Sequence, residues 1–64
     1  MTLNAKYIDE KKVSAITGRS LSTLRNDRHL RRGIPYIKIR GSVRYCFEDV
    51  ISYMEARRIE TTGE

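Results

Sequence analysis

Three helical patterns and one alternating pattern divide this chain. Tyr7-Ile8 precedes Asp9-Glu10-Lys11-Lys12-Val13, where the Asp9 carboxylate is placed to cap a helix and Glu10 puts negative charge at its positive end. Ile8 and Val13 have the N′ to N4 spacing of a hydrophobic staple, and Val13, Ile16 and Thr17 mark the buried stripe. Gly18, free to adopt a left-handed conformation, ends this helix. After Arg19 alone, Ser20 caps a second helix over about residues 20–31, with Leu21 and Leu24 at i, i+3 and Leu30 further along. Helix, glycine-containing turn, cap and second helix at this spacing predict a helix-turn-helix.

Gly33-Ile34-Pro35 stops any helix, because proline lacks a donor and restricts the residue before it. From Tyr36 the apolar residues Ile37 and Ile39, then Val43 and Tyr45, alternate with Lys38, Arg40 and Arg44, a two-residue period broken at Gly41-Ser42. The pattern predicts a two-stranded hairpin with one apolar and one basic face. A three-residue loop, Arg40-Gly41-Ser42, keeps that apolar face whole by pairing Ile39 with Val43 and Ile37 with Tyr45. It also sets Lys38 opposite Arg44, a like-charge pair that a phosphate would relieve. Glu48 and Asp49 then suit a helix start, Phe47, Val50, Ile51 and Met54 form its apolar stripe, and Arg57-Arg58 suit its end.

At 64 residues there is room for one domain with a small core, its ordered part expected over about residues 7–58 and the polar tail 60–64 frayed. The fold class expected is mostly α with a small β-hairpin, a winged helix-turn-helix of three helices and a two-stranded wing. Neither a membrane-spanning run nor a signal-peptide pattern is present, so a cytoplasmic location is expected. The single cysteine, Cys46, excludes an internal disulfide and reads as a small buried apolar residue; with one histidine there is no four-ligand zinc set, and no metal or cofactor is expected. One histidine, no paired buried acids and no glycine-rich phosphate loop leave no catalytic set, and no small-molecule substrate is expected.

Charge changes the picture more than composition does. Of the formal net charge of +5, the stretch from Arg19 to Arg44 holds eight basic residues and one acid, Asp27, whereas the flanks hold five basic residues and seven acids. Such asymmetry is expected of a face that binds a polyanion. The side of the second helix opposite Leu21 and Leu24 presents Ser22, Arg25, Asn26 and His29. Arginine can bond guanine bidentately, asparagine adenine, and serine either edge, in a groove wide enough for a helix. The bland alternative is ordinary exposed polar surface. His29 is more simply neutral polar surface than a pH sensor, and Tyr36, Tyr45 and Tyr53 read as packing residues with surface hydroxyls.

In order, Tyr7-Ile8-Asp9, Gly18-Arg19-Ser20, Ser22-Thr23-Leu24, Gly33-Ile34-Pro35-Tyr36-Ile37-Lys38-Ile39, Val43-Arg44-Tyr45 and Glu48-Asp49-Val50 resemble a known family. The ordered set is similar to the excisionase and AlpA-like helix-turn-helix proteins of prophages and bacterial mobile elements, related in fold to the MerR-type winged helix. The resemblance spans about Tyr7 to Arg58. It implies a recognition helix from Ser20 to Leu30, a wing from Lys38 to Arg44, and a role as excisionase acting beside an integrase or as transcriptional regulator, in a bacterium or phage. Many relatives carry an aromatic residue where this chain has Asp27, and a further glycine or arginine near Gly41-Ser42; Asp27 is spaced to pair with Arg31 at i+4.

The expected partner is double-stranded DNA. Ser22, Arg25 and Asn26 are assigned to base edges, and Thr23, Arg28, His29, Lys38, Arg40, Ser42 and Arg44 mainly to phosphate and groove contacts. A module this small buries about 600–1,000 Å² on DNA, so several copies are expected on neighbouring sites. The rival expectation is a protein-interaction module whose basic face docks an acidic partner.

Overall fold

A computed structural model describes residues 6–60. The elements run β1 (Tyr7–Ile8), α1 (Glu10–Thr17), α2 (Leu21–His29), β2 (Ile37–Ile39), β3 (Ser42–Cys46) and α3 (Phe47–Ala56). Three helices accompany a three-stranded antiparallel sheet in the order β1-β3-β2, a small mixed α/β arrangement. The two-stranded wing expected from the sequence is thus corrected: Tyr7 and Ile8 pair with Cys46 and Tyr45 and add a third strand. The tail beyond Glu60, expected to fray, lies outside the described residues. Among the described residues no helix is long and apolar enough to cross a membrane.

Local chemistry sets the helix ends. Asp9 accepts the Lys12 amide at 2.9 Å, and Gly18 closes α1 at φ 77° while its N–H donates to the Ser14 carbonyl. Ser20 caps α2 by accepting the Thr23 amide at 3.1 Å. That helix is shorter than expected, because Arg31 at φ 57° turns the chain back: its amide donates to Arg28 O and the Arg32 amide to Asp27 O, the paired bonds of a Schellman end. Leu30 therefore sits at the cap, half exposed, and not in the buried stripe.

Val13, Leu24, Ile34, Tyr45 and Val50 form the core, with Ile8, Ile16, Leu21, Val43 and Tyr53 packed around it. At about 1.5–3 kcal/mol for each fully buried large apolar side chain, five such residues leave a modest margin. Only Val50 of the expected α3 stripe is fully buried; Ile51 and Met54 are over a third exposed, and Tyr53 takes the inward place instead.

The hairpin register departs from expectation. Ile39 pairs with Ser42, Lys38 with Val43 and Ile37 with Arg44, leaving a two-residue turn at Arg40-Gly41 and not the three-residue loop. Arg40 adopts φ 58°, the positive value at the first turn position that lets a two-residue connection follow the strand twist. Directly paired residues share a sheet face, so Val43 and Tyr45 point inward with Lys38, while Ile37 and Ile39 point outward with Ser42 and Arg44. The Lys38–Arg44 and Ile–Val/Tyr pairings are therefore absent. The inward place belongs to β3 because α1 and α3 pack on it.

Candidate nucleic-acid interface

Because α1 ends at Gly18 and α2 begins after Ser20, the two helices lie side by side, and the exposed side of α2 runs toward the hairpin. A cleft of about 330 Å³ between them is lined by Arg25, Arg28, His29, Tyr36, Lys38, Gly41 and Val43. Four of the residues expected at the interface thus share one wall-and-floor arrangement: Arg25, Arg28, His29 and Lys38. Ser22 and Asn26 are exposed on α2, Ser22 three positions before Arg25 and Asn26 directly after it. Thr23 is half-buried, its hydroxyl taken up by the cap through Ser20 Oγ at 2.9 Å. Arg40 sits at the exposed turn, whereas Ser42 and Arg44 lie on the opposite face of the hairpin from Lys38.

The arginines of α2 are not free. Glu10, at the first position of α1, accepts Arg25 Nη2 at 2.6 Å through Oε2 and Arg25 Nε at 3.2 Å through Oε1. The same Oε1 accepts Arg28 Nη2 at 3.3 Å. Arg28 Nη1 donates to the Tyr45 hydroxyl at 2.7 Å, and its guanidinium lies 5.7 Å from the Tyr36 ring centre. Arg28 is consequently a mostly buried strut between α2 and the sheet, with 17% of its side chain exposed against 56% for Arg25. Tyr45, expected to carry its hydroxyl at the surface, is 1% exposed and spends that hydroxyl on Arg28. The Arg25 hydrogen bond, opposed by burial and helped by Arg28, holds the Glu10 carboxyl below its usual pKa.

Asp27 performs a second clamp. It accepts Arg19 Nη2 at 2.8 Å and Arg32 Nε at 3.1 Å, joining the interhelical turn to the segment after α2. The i+4 partner expected from the sequence, Arg31, is corrected to these two; Arg31 is turned away by its left-handed backbone. Asp27 is itself 7% exposed, and the two guanidiniums supply the partners that a buried carboxylate requires.

These two acids revise the charge distribution read from the sequence. Arg19, Arg25, Arg28 and Arg32 are paired with carboxylates, while Arg31, Lys38, Arg40 and Arg44 have none within salt-bridge distance among the described residues. The sequence reading missed Glu10 and Tyr36 as parts of this surface. Glu10 stands fifteen positions from Arg25, and only the packing of α1 on α2 brings them together. Among the described residues no group of His, Cys, Asp or Glu could hold a metal. No family model matches the chain, and neither the curated proteins nor the solved structures contain a match.

Proposed function

We propose that this chain is a winged helix-turn-helix module that binds double-stranded DNA sequence-selectively, as an excisionase or AlpA-like transcriptional regulator of a prophage or mobile element. The observation that carries this reading is the cleft between α2 and the hairpin, where Arg25, His29 and Lys38 converge beside exposed Ser22 and Asn26. In it, α2 enters the major groove, with Ser22, Arg25 and Asn26 on base edges. His29, Lys38 and Arg40 take phosphates, with Arg44 following the backbone on the hairpin's other face. Arg28 acts mainly from beneath, fixing α2 to Tyr45.

Selection of bound sequences from random duplexes tests the reading, followed by footprinting on the DNA of the host element. A recurring motif is expected, with log K falling against log salt by about 0.9 per phosphate contact. Absence of binding to any duplex at low salt overturns the proposal. Footprints beside attachment-core DNA mark an excisionase that works with an integrase; footprints over a promoter mark a regulator.

A further inference from the structure

Glu10 is an acid in the middle of a surface read as DNA-binding, where an isolated carboxylate would repel phosphate. Its geometry explains why it is there. A guanidinium has five N–H donors in a rigid planar fork. Glu10 takes the edge of Arg25 formed by Nε and Nη2. The edge formed by Nη1 and the outer hydrogen of Nη2 is left open. That second edge has the two parallel donors that guanine O6 and N7 accept.

We infer that Glu10 is a specificity-determining residue, one that fixes the Arg25 guanidinium so that its open edge reads a single base while its charge suppresses sequence-blind contact with phosphate. The inference rests on α2 being the helix that enters the major groove. Held in this way, Arg25 loses the rotamer freedom that lets a long cation reach whichever phosphate is nearest. Arg28, tied to the same carboxylate and to Tyr45, keeps Glu10 in register with both helices. Glu10 thus trades total affinity for discrimination, as an unfavourable element built against wrong sites does.

The test compares the wild-type chain with Glu10→Gln and Arg25→Lys by selection from random duplexes and by titration of selected and random duplexes across salt. Glu10→Gln keeps the shape of the side chain but removes the charge and turns one acceptor into a donor. It is expected to bind random duplex roughly three- to tenfold more tightly, with a salt slope steeper by about one phosphate, and to lose preference at one base position. Arg25→Lys keeps a cation without the fork and is expected to lose the same base position while holding its random-duplex affinity. In an Arg25→Lys background, Glu10→Gln no longer changes the motif, because the coupled pair is already broken. A Glu10→Gln motif identical to wild type, or equal weakening on selected and random duplex, overturns the inference while leaving the DNA reading intact. A wild-type chain that enriches no duplex overturns both.

Discussion

Ile37 stands directly opposite Arg44 across the β2–β3 hairpin, and this single pairing puts two isoleucines on the outer face of the sheet. Ile39 is 64% exposed, and Ile37, Tyr7 and Arg44 border it. Ile39→Lys is therefore expected to change the free energy of unfolding by no more than about 0.5 kcal/mol. Val43→Lys, on the inward face, is expected to cost upward of about 1.5 kcal/mol by leaving an ammonium against the core. Urea denaturation of the two variants checks the register, and equal losses would contradict it.

Among the described residues, the Tyr45 hydroxyl is the acceptor that ties mostly buried Arg28 to the sheet. Tyr45→Phe removes it and keeps the ring, so a loss of about 1–2 kcal/mol is expected from the charge-assisted bond. Val50→Ala, at a fully buried position, is expected to cost about 2 kcal/mol through lost burial and the cavity left behind. Thermal melts of both variants measure this, and a Tyr45→Phe melt coincident with wild type would show the hydroxyl to be dispensable.

Gly33 is closed against Asp27. Its backbone is at φ 91°, and a Cβ there would lie 3.0 Å from Asp27 Cβ and 3.2 Å from Asp27 Oδ2. Gly33→Ala is expected to destabilise by about 1–3 kcal/mol, from backbone strain and displacement of the clamp. Asp27→Asn, which strips the charge from Arg19 and Arg32, is expected to lower Tm by roughly 5 °C or more. Calorimetry on the two variants checks both values.

Arg31 ends α2 in a conformation that suits glycine. Arg31→Gly is expected to stabilise the fold by about 0.5–1 kcal/mol, because the strained φ is relieved at the Schellman position. Arg31 is also an exposed cation with no acidic partner among the described residues, so under the proposed DNA-binding function loss of its positive charge is expected to weaken duplex binding modestly and about equally on all sequences. Denaturation and titration on the same preparation separate the two effects.

Stability is expected to fall in acid. The Glu10 carboxyl is held below its ordinary 4.5 chiefly by Arg25, and Asp27 below its ordinary 3.8 chiefly by Arg32, with burial opposing in each case and Arg28 and Arg19 adding to the lowering. A group whose folded pKa is depressed stabilises the fold above its unfolded pKa and loses that contribution as pH falls through the folded value. These two acids therefore add full stability at pH 6 and progressively less below about pH 4.5. Urea midpoints at pH 6, 4 and 3 test this: wild type is expected to decline more steeply than the Glu10→Gln, Asp27→Asn double variant, and parallel curves would count against the paired acids as the cause.

The helices were legible because their signals are local. Asp9 and Ser20 cap within one turn, Gly18 ends α1, and buried Val13, Leu24 and Val50 each have an apolar neighbour three positions away on their own helix, Ile16, Leu21 and Phe47, so caps, turn and stripes were set by residues a few positions apart. The hairpin's existence was equally local, in the alternation around Gly41. Its register was not. Both strands alternate, and which set of side chains faces inward depends on whether two or three residues turn the chain and on which strand the helices cover. Apolar continuity favoured the longer loop, but α1 and α3 pack chiefly on β3 among the strands, so β2 keeps its isoleucines outside. Arg25, Asn26 and Lys38 could be singled out as candidates from residue type and spacing. What the sequence by itself determined was the helical frame and the basic surface on it. Which of those cations are free was decided only by tertiary structure, because Glu10 and Asp27 reach their arginines through packed helices and turned chain ends, contacts that no spacing along the chain encodes.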